Sequence, residues 1–355
     1  MSDNDSSMDN SGHLLEQVRQ ALDSGTPLSI RGGNSKMFLG RKVAGQELDV
    51  RSHRGVVSYD PTELVVTVRA GTPVAQLAQI LEAEGQMLPC EPAHFDGLAT
   101  VGGMVASGLS GPRRPWSGSV RDYVLGCRLI TGQAKHLRFG GQVMKNVAGY
   151  DVSRLLAGSF GCLGVLTEVS LKVLPKARKA HTLSVPVDAA SALKSLSQWY
   201  RAALPVTGAL YAGDRLYVRL EGGSGSVEEA CERIGGNEAG SDIWTDLREH
   251  RLAFFDDVRP LWRVSVPANT PVIDLPGDSL LDWGGAQRWL KSDAPAQRVR
   301  ELAASAGGHA TCFTPHDDIE PFHPLPQAMM RYQRQLKAKM DPAGIFNPGR
   351  MYPDL

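Results

Sequence analysis

PLSIRGGNSKMFLG, Pro27 to Gly40, is the stretch whose reading decides the fold. The apolar run Leu28-Ser29-Ile30 predicts a strand; two glycines, Asn34 and Ser35 then cut it, with Arg31 and Lys36 on either side. Glycine admits positive φ and lets consecutive backbone N–H groups converge on one concavity, which suits anionic oxygens. A strand followed by such a loop is a place for phosphate, although Gly-Gly-Asn is also ordinary turn chemistry. It is not a Walker loop, because no G-x-x-x-x-G-K-[ST] occurs, and the chain holds no G-x-G-x-x-G fingerprint. GSFGCLG (Gly158 to Gly164) comes nearest, but its glycines are three apart, so a nicotinamide-binding Rossmann domain is disfavoured.

Around this loop, strand and helix alternate. HLLEQVRQALDSG (His13 to Gly25) has helical apolar spacing, ended by Gly25 and Pro27. VVSYDPTELVVTVRAG (Val56 to Gly71) reads as two β-branched strands joined at Asp60-Pro61. TPVAQLAQILEAEG follows as a helix with Thr72 as N-cap, Pro73 at the first helical position and Gly85 as the stop. Pro89 to Gly118 is rich in glycine and proline, a costly composition unless the backbone approaches something closely. A hairpin turning near Thr131 to Ala134, a short helix in YDVSRLLAGSFG and a strand in LGVLTEVSLKVLP complete a first α+β region. After it the pattern restarts as strand, helix, hairpin and helix, then two strands, a helix and a strand, predicting two helices on one antiparallel sheet. AMMRYQRQLKAKMDPAGIFNPGRMYPDL ends the chain with a helix and a turn-rich segment that returns to the first domain.

Composition narrows the function classes. At 355 residues the chain exceeds one ordinary core. Hydrophobic residues at 42% and charged residues at 21% are those of a globular protein with a sizeable core. Thirty-eight basic and 38 acidic residues cancel, which argues against a dedicated nucleic-acid protein. No apolar run reaches the roughly 18 residues of a membrane span. The opening MSDNDSSMDNSG is polar, without the features of a signal peptide, and residues 1–12 read as a disordered tail. Cys90, Cys127, Cys162, Cys231 and Cys312 are far apart with no CxxC pair, which fits reduced thiols in the cytoplasm and argues against a cysteine-ligated iron–sulfur cluster in this chain.

IRGGNSK, DPTELVVTVRAGTPVAQLAQIL, EPAHFDGLATVGGMVASGLSGPRRPWSGSVRDYVLG, KNVAGYDVSRLLAGSFGCLGVLTE and DPAGIFNPG together resemble the FAD-binding oxidoreductases of the vanillyl-alcohol oxidase (PCMH) type. Within that family the chain is most similar to the FAD-binding subunits of bacterial glycolate oxidase (glycolate dehydrogenase). The resemblance implies an α+β fold: a two-lobed PCMH-type FAD domain over residues 13–178, a smaller ferredoxin-like α+β cap over 179–325, and a segment over 326–355 returning to the FAD domain. It places the FAD diphosphate on Arg31, Gly32, Gly33, Asn34, Ser35 and Lys36. The second loop, with Thr100, Val101, Gly102, Gly103, Ser107, Gly108, Gly118 and Asp122, would line the diphosphate and isoalloxazine. Gly161, Gly164, Val165 and Thr167 would belong to an edge strand over adenine and ribose. Members with tethered flavin commonly carry histidine at the Asn34 position, so the FAD is expected to be non-covalent; Cys90 and His94 lie near the second loop but do not match the linkage pattern.

The implied activity is oxidation of glycolate to glyoxylate, the flavin taking a hydride from the 2-hydroxy acid and passing electrons to an iron–sulfur partner subunit beside a larger FAD-containing catalytic subunit. The alternatives are a self-sufficient FAD-dependent hydroxy-acid or alcohol oxidoreductase, and a structural flavin-fold subunit without turnover. No catalytic residue is assigned; Tyr150, Asn347 and Arg350 are the candidates to face the flavin. No metal is expected: His309, His316 and His323, near Asp317, Asp318 and Glu320, read as surface-loop histidines, and the histidine-rich metal run of larger relatives is absent. GPRRPWSGS (Gly111 to Ser119) looks exposed and suits a protein contact or a phosphate equally. The expected location is cytoplasmic, with peripheral attachment to the inner face of the cell membrane through partners.

Overall fold

A computed structural model describes residues 8–141, 151–316 and 318–355. The chain forms two units, one of residues 1–110, 118–175 and 324–355, the other of 111–117 and 176–323.

In the first unit α1 (Ser11–Ser24) turns Leu14, Val18 and Ala21 inward and ends at Gly25 in the left-handed region, starting two residues before the expected His13. β1 (Leu28–Arg31) pairs in parallel with β2 (Gln46–Asp49). Phe346 bridges to Leu28: the Leu28 N–H donates to the Ile345 carbonyl at 2.7 Å and the Asn347 N–H to the Leu28 carbonyl at 3.0 Å. Leu14, Leu28, Leu48, Val165 and Phe346 share the core of this lobe.

The other lobe is a sheet with helices on it. β3 (Val56–Asp60) and β4 (Val65–Arg69) form the hairpin expected at Asp60-Pro61. α2 (Val74–Ala83) follows; Pro73, not Thr72, holds its N-cap position, because the Thr72 hydroxyl donates to the Arg69 carbonyl at 2.7 Å and accepts from the Gly55 N–H at 2.9 Å. Next in the chain come β5 (Gln86–Met87), α3 (Val101–Ser107), α4 (Arg114–Ser117), α5 (Val120–Tyr123), β6 (Val124–Ile130), β7 (His136–Gly140), α6 (Val152–Leu155), β8 (Val165–Lys172) and β9 (Leu174–Pro175). The antiparallel order is β3-β4-β8-β6-β7, with β5 and β9 as a separate short pair. Val66, Val68, Leu77, Leu81, Val101, Met104 and Val169 close the core between α2, α3 and the sheet. The expected edge strand after Gly161 is thus wrong in position, since β8 lies between β4 and β6 with Val165 and Thr167 fully buried.

The second unit is an eight-stranded antiparallel sheet. β10 (Lys179–Pro186), α7 (Ala189–Arg201), β11 (Val206–Ala212), β12 (Arg215–Gly222), α8 (Ser224–Ile234) and β13 (Asn237–Glu238) run as β-α-β-β-α-β in the order β13-β10-β12-β11, a ferredoxin-like unit. After α9 (Asp242–Glu249) come β14 (Leu261–Ser265), β15 (Asp278–Asp282), β16 (Gln287–Lys291), α10 (Ala296–Ser305) and β17 (His309–Cys312), in the order β15-β16-β14-β17. This repeats the same strand order, except that β14 and β15 are joined without a helix. SLLDWGGAQRWLK, the second of the two strands expected in this half, is a hairpin, because Trp283-Gly284-Gly285 turns the chain between β15 and β16. The expectation of two helices held for the first half, where α7 and α8 share a core, but α10 builds a further one.

GPRRPWSGS is exposed only in part, at Arg114 and Pro115. Arg113 is buried and ion-paired to Glu221, and Trp116 packs on the core of α7 and α8. Among the described residues no helix is long and apolar enough to cross a membrane.

Candidate functional site

The loop after β1 owes its shape to a division of labour unlike the expected one. Neither Gly32 nor Gly33 takes a positive φ; Asn34 does, at 55°. The glycines are there for close approach: a Cβ on Gly33 would lie 1.5 Å from the Leu98 carbonyl oxygen, and one on Gly32 would lie 2.4 Å from Thr100 Oγ1. The loop is thereby pressed against the start of α3, where Thr100 Oγ1 accepts from the Gly103 N–H at 3.3 Å. Among the described residues, the N–H groups of Gly33, Asn34 and Ser35 donate to no protein acceptor.

Arg31, Gly32, Gly33, Asn34, Ser35, Lys36, Thr100, Gly103, Ser107, Asn347 and Arg350 surround one cleft of about 120 Å³. Among the described residues no carboxylate lines it, whereas Arg31, Lys36 and Arg350 do. Arg31 Nε is buried without a hydrogen-bond partner, although its fork reaches Glu47 at 3.1 Å. Such a cradle fits an extended, doubly charged diphosphate. The sequence reading missed Ile30, Met37, Val43, Ala106 and Phe160, which also line it; apolar residues beside a phosphate loop carry no signal of their own.

Other expected residues lie elsewhere. Gly102 faces the sheet: its N–H donates to the Ala70 carbonyl at 2.8 Å, and a Cβ there would stand 2.8 Å from Ala70 Cβ. Val101 is core, and Gly108 caps α3 in the left-handed region. The Asp122 carboxylate accepts from the Ser119 N–H at 2.8 Å and hydroxyl at 2.9 Å, which caps α5 next to Gly118. A Cβ on Gly161 would meet Asn347 Nδ2 at 2.7 Å and one on Gly164 the Ile130 carbonyl at 2.9 Å, so both are packing glycines. Val165 is core, and the Thr167 hydroxyl meets the Arg128 carbonyl at 3.1 Å and His136 Nε2 at 2.8 Å. Tyr150 and Asp317 fall outside the described residues.

Asn347 and Arg350 serve as struts. Asn347 Oδ1 accepts from the Ile30 N–H and its Nδ2 donates to the Phe160 carbonyl, both at 2.7 Å. Arg350 donates to the carbonyls of Arg41 (2.6 Å) and Leu39 (2.7 Å), holding the far end of the loop. Burial pushes the Arg350 guanidinium below its ordinary value, and the Arg31 charge adds to that. Phe160 faces the cleft while Ser159, Cys162 and Leu163 line a second cavity of about 450 Å³ with Leu336 and Lys337. Cys90 is buried, its thiol pushed up to about 12 by desolvation. His309 and His323 rings lie 6.4 Å apart, and among the described residues no cluster of three His, Cys, Asp or Glu is placed to hold a metal.

Residues 8–140 match the model of the FAD binding domain family. The chain is 56% identical over 347 residues to glycolate oxidase subunit GlcE of Escherichia coli K12, covering 98% of this chain and 99% of that one. The chain belongs to the glycolate oxidase subunit GlcE family. The cofactor of this GlcE-family chain is FAD. Glycolate oxidase subunit GlcD of Bacillus subtilis 168 is 34% identical over 159 residues, 44% of this chain and 34% of that protein. A solved alkyldihydroxyacetonephosphate synthase superposes with a TM-score of 0.64 at 17% identity, covering 94% of this chain and 74% of the synthase, which shows a shared fold.

Proposed function

We propose that this chain is the FAD-binding subunit of a multi-subunit glycolate dehydrogenase that oxidises glycolate to glyoxylate, working beside a larger FAD-containing subunit and an iron–sulfur subunit. The observation that carries this is the likeness to a glycolate oxidase subunit over 98% of the chain, joined to a glycine cradle flanked by Arg31, Lys36 and Arg350 in the domain that binds FAD. D-lactate and D-2-hydroxyglutarate dehydrogenases among the relatives support the 2-hydroxy acid as the class of substrate.

The first unit is then the FAD domain and the second the cap. The N–H groups of Gly33, Asn34 and Ser35 would hold the diphosphate, with Arg31 and Lys36 neutralising it. A cleft of about 120 Å³ takes only that segment of the extended dinucleotide. Asn347 and Arg350 would act on the cofactor indirectly, by fixing β1 and the loop's far end. Bound FAD supplies a hydride acceptor for the C–H of the hydroxy acid. Asn34 in the loop and the unreactive, buried Cys90 thiol favour non-covalent attachment. The location proposed is cytoplasmic, with any membrane attachment through partners.

The visible spectrum of the purified chain before and after acid precipitation tests this, for wild type and Gly33→Trp. Flavin that moves to the acid supernatant and is lost in the variant is the expected result, with glycolate turnover appearing when partner subunits are added. Flavin left in the pellet refutes non-covalent binding, and a colourless wild type refutes FAD bound by this chain on its own.

A further inference from the structure

Arg263 stands on β14 opposite Trp289 of β16 and Thr311 of β17, and one pleat along, Ser265 stands opposite Gln287 and His309. The alternate residues, Trp262, Val264, Leu290, Ala310 and Cys312, pack under α10 with Val299 and Ala303. Because side chains alternate across a strand, Arg263 and its row belong to the sheet face away from α10. Its guanidinium lies 5.1 Å from the centroid of the Phe313 ring, and that of Arg114 lies 4.4 Å over Trp283.

Among the described residues the Arg263 side chain makes no hydrogen bond and no ion pair, and its Nε is enclosed without an acceptor. Desolvation, and after it the like charge of Arg114, press the guanidinium down to about 10. Acids of the same unit are engaged elsewhere: Glu221 with Arg113 and Arg219, Glu249 with Arg248, Asp257 and Asp278 with Arg259, and Asp282 with the Trp283 N–H and Gln287. Arg288 of the same sheet, by contrast, donates to the carbonyls of Thr270 at 2.7 Å and Pro271 at 2.8 Å. A desolvated cation without a counter-ion is costly, and the fold keeps it beside a second cation instead of relieving it. Arg263 is only partly enclosed, while Arg114 and His309 are exposed, so an anion can enter from solvent. Although His309 is exposed as a residue, partial desolvation of its ring, and then the charge of Arg263, disfavour its protonation, which leaves the imidazole a neutral hydrogen-bonding group at the rim.

We propose that Arg263, with Arg114 and His309 at its rim and Phe313 as an apolar wall, is a binding site in the second unit for a small carboxylate anion. The planar fork of a guanidinium matches a carboxylate bidentately. That this anion is the 2-hydroxy acid rests on the function proposed above; the site itself is defined by its charge and shape.

Isothermal titration of the FAD-loaded full chain with oxalate, which has no oxidisable CH–OH, tests the site apart from turnover. Wild type binds oxalate, and Arg263→Met weakens it at least about tenfold, the loss of a charge-assisted pair. Arg263→Lys retains part of the affinity, and the exposed Arg114→Gln weakens it less than Arg263→Met does. Flavin content and the far-ultraviolet spectrum check that each variant is folded; if Arg263→Met is not, Arg263→Lys and Arg114→Gln decide. Wild type that binds no oxalate, or folded variants that bind it as wild type does, overturn the proposal. Glycolate turnover by the assembled complex is scored separately, so the site can fail while the dehydrogenase stands, or hold while the dehydrogenase fails.

Discussion

At the scale of single residues, a glycine's neighbours say what the glycine is for. Gly33 and Gly102 both sit in glycine pairs, and composition cannot tell them apart. The structure separates them: Gly33 presses the loop onto the Leu98 carbonyl at the cleft, and Gly102 presses α3 onto Ala70 away from it. Overpacking a tight site costs about 1–3 kcal/mol, but the two variants would spend it differently. Gly33→Ala is expected to displace the loop and weaken FAD about ten- to a hundredfold, read by flavin release on dilution. Gly102→Ala is expected to lower unfolding free energy by about 1–3 kcal/mol with flavin affinity little changed. Equal flavin loss in both would mean that Gly102 also shapes the cleft. Asn34 shows the limit of the reading from sequence: a positive φ was foreseen in this loop, but it fell to the asparagine, which tolerates it through its short polar side chain.

At the scale of elements, helices with punctuation and most hairpins were legible, and so was β8 as a strand, but not its place in the middle of the sheet. VLTEVSLK carries Thr167, Glu168 and Ser170, polar residues on both faces of the strand. All three are buried, because each finds a partner remote in sequence: His136 at 2.8 Å, Arg128 at 3.2 Å and Thr67 at 2.8 Å. A polar residue in a central strand is affordable only when such partners exist, and one strand's sequence does not contain them. The last helix, Gln327–Met340, makes the same point, since Lys337 reads as a surface charge. Its Nζ donates to the carbonyls of Cys162 (2.8 Å) and Phe346 (2.6 Å) and to Asp341 Oδ2 (2.7 Å), and Asp341 accepts in turn from the Phe346 N–H at 2.8 Å. Lys337→Met would leave the Asp341 carboxylate buried and unpaired, a loss of about 3–5 kcal/mol in denaturant unfolding, with part recovered in Lys337→Met combined with Asp341→Asn. A single variant within about 0.5 kcal/mol of wild type would make the network dispensable.

At the scale of the whole molecule, the tryptophans report on one unit and the flavin on the other. Trp116, Trp199, Trp244, Trp262, Trp283 and Trp289 all belong to the second unit, whereas the glycine cradle belongs to the first. Each unit also encloses a histidine that burial holds below its ordinary value. His53 is fully enclosed, its Nδ1 accepting from the Asn10 N–H at 3.0 Å, and His250 stacks on Phe255 with centroids 4.5 Å apart and is pushed down to about 4. In the unfolded chain both titrate near 6.5. As pH falls through 6.5 the unfolded chain takes up protons that the native one refuses, so stability is full above that value and declines below it, for His250 until about pH 4. The loss for His250 reaches about 3 kcal/mol at the acid end. His250→Asn keeps a residue that tolerates the left-handed backbone, φ 57°, and removes the titration. Urea unfolding at pH 7.5 and pH 5 should therefore show a smaller acid loss in the tryptophan transition of His250→Asn than in wild type, while flavin release keeps its wild-type pH dependence, because His53 is untouched. If both signals flatten together, the two units do not carry separate acid sensitivities, and His250 governs a single shared transition.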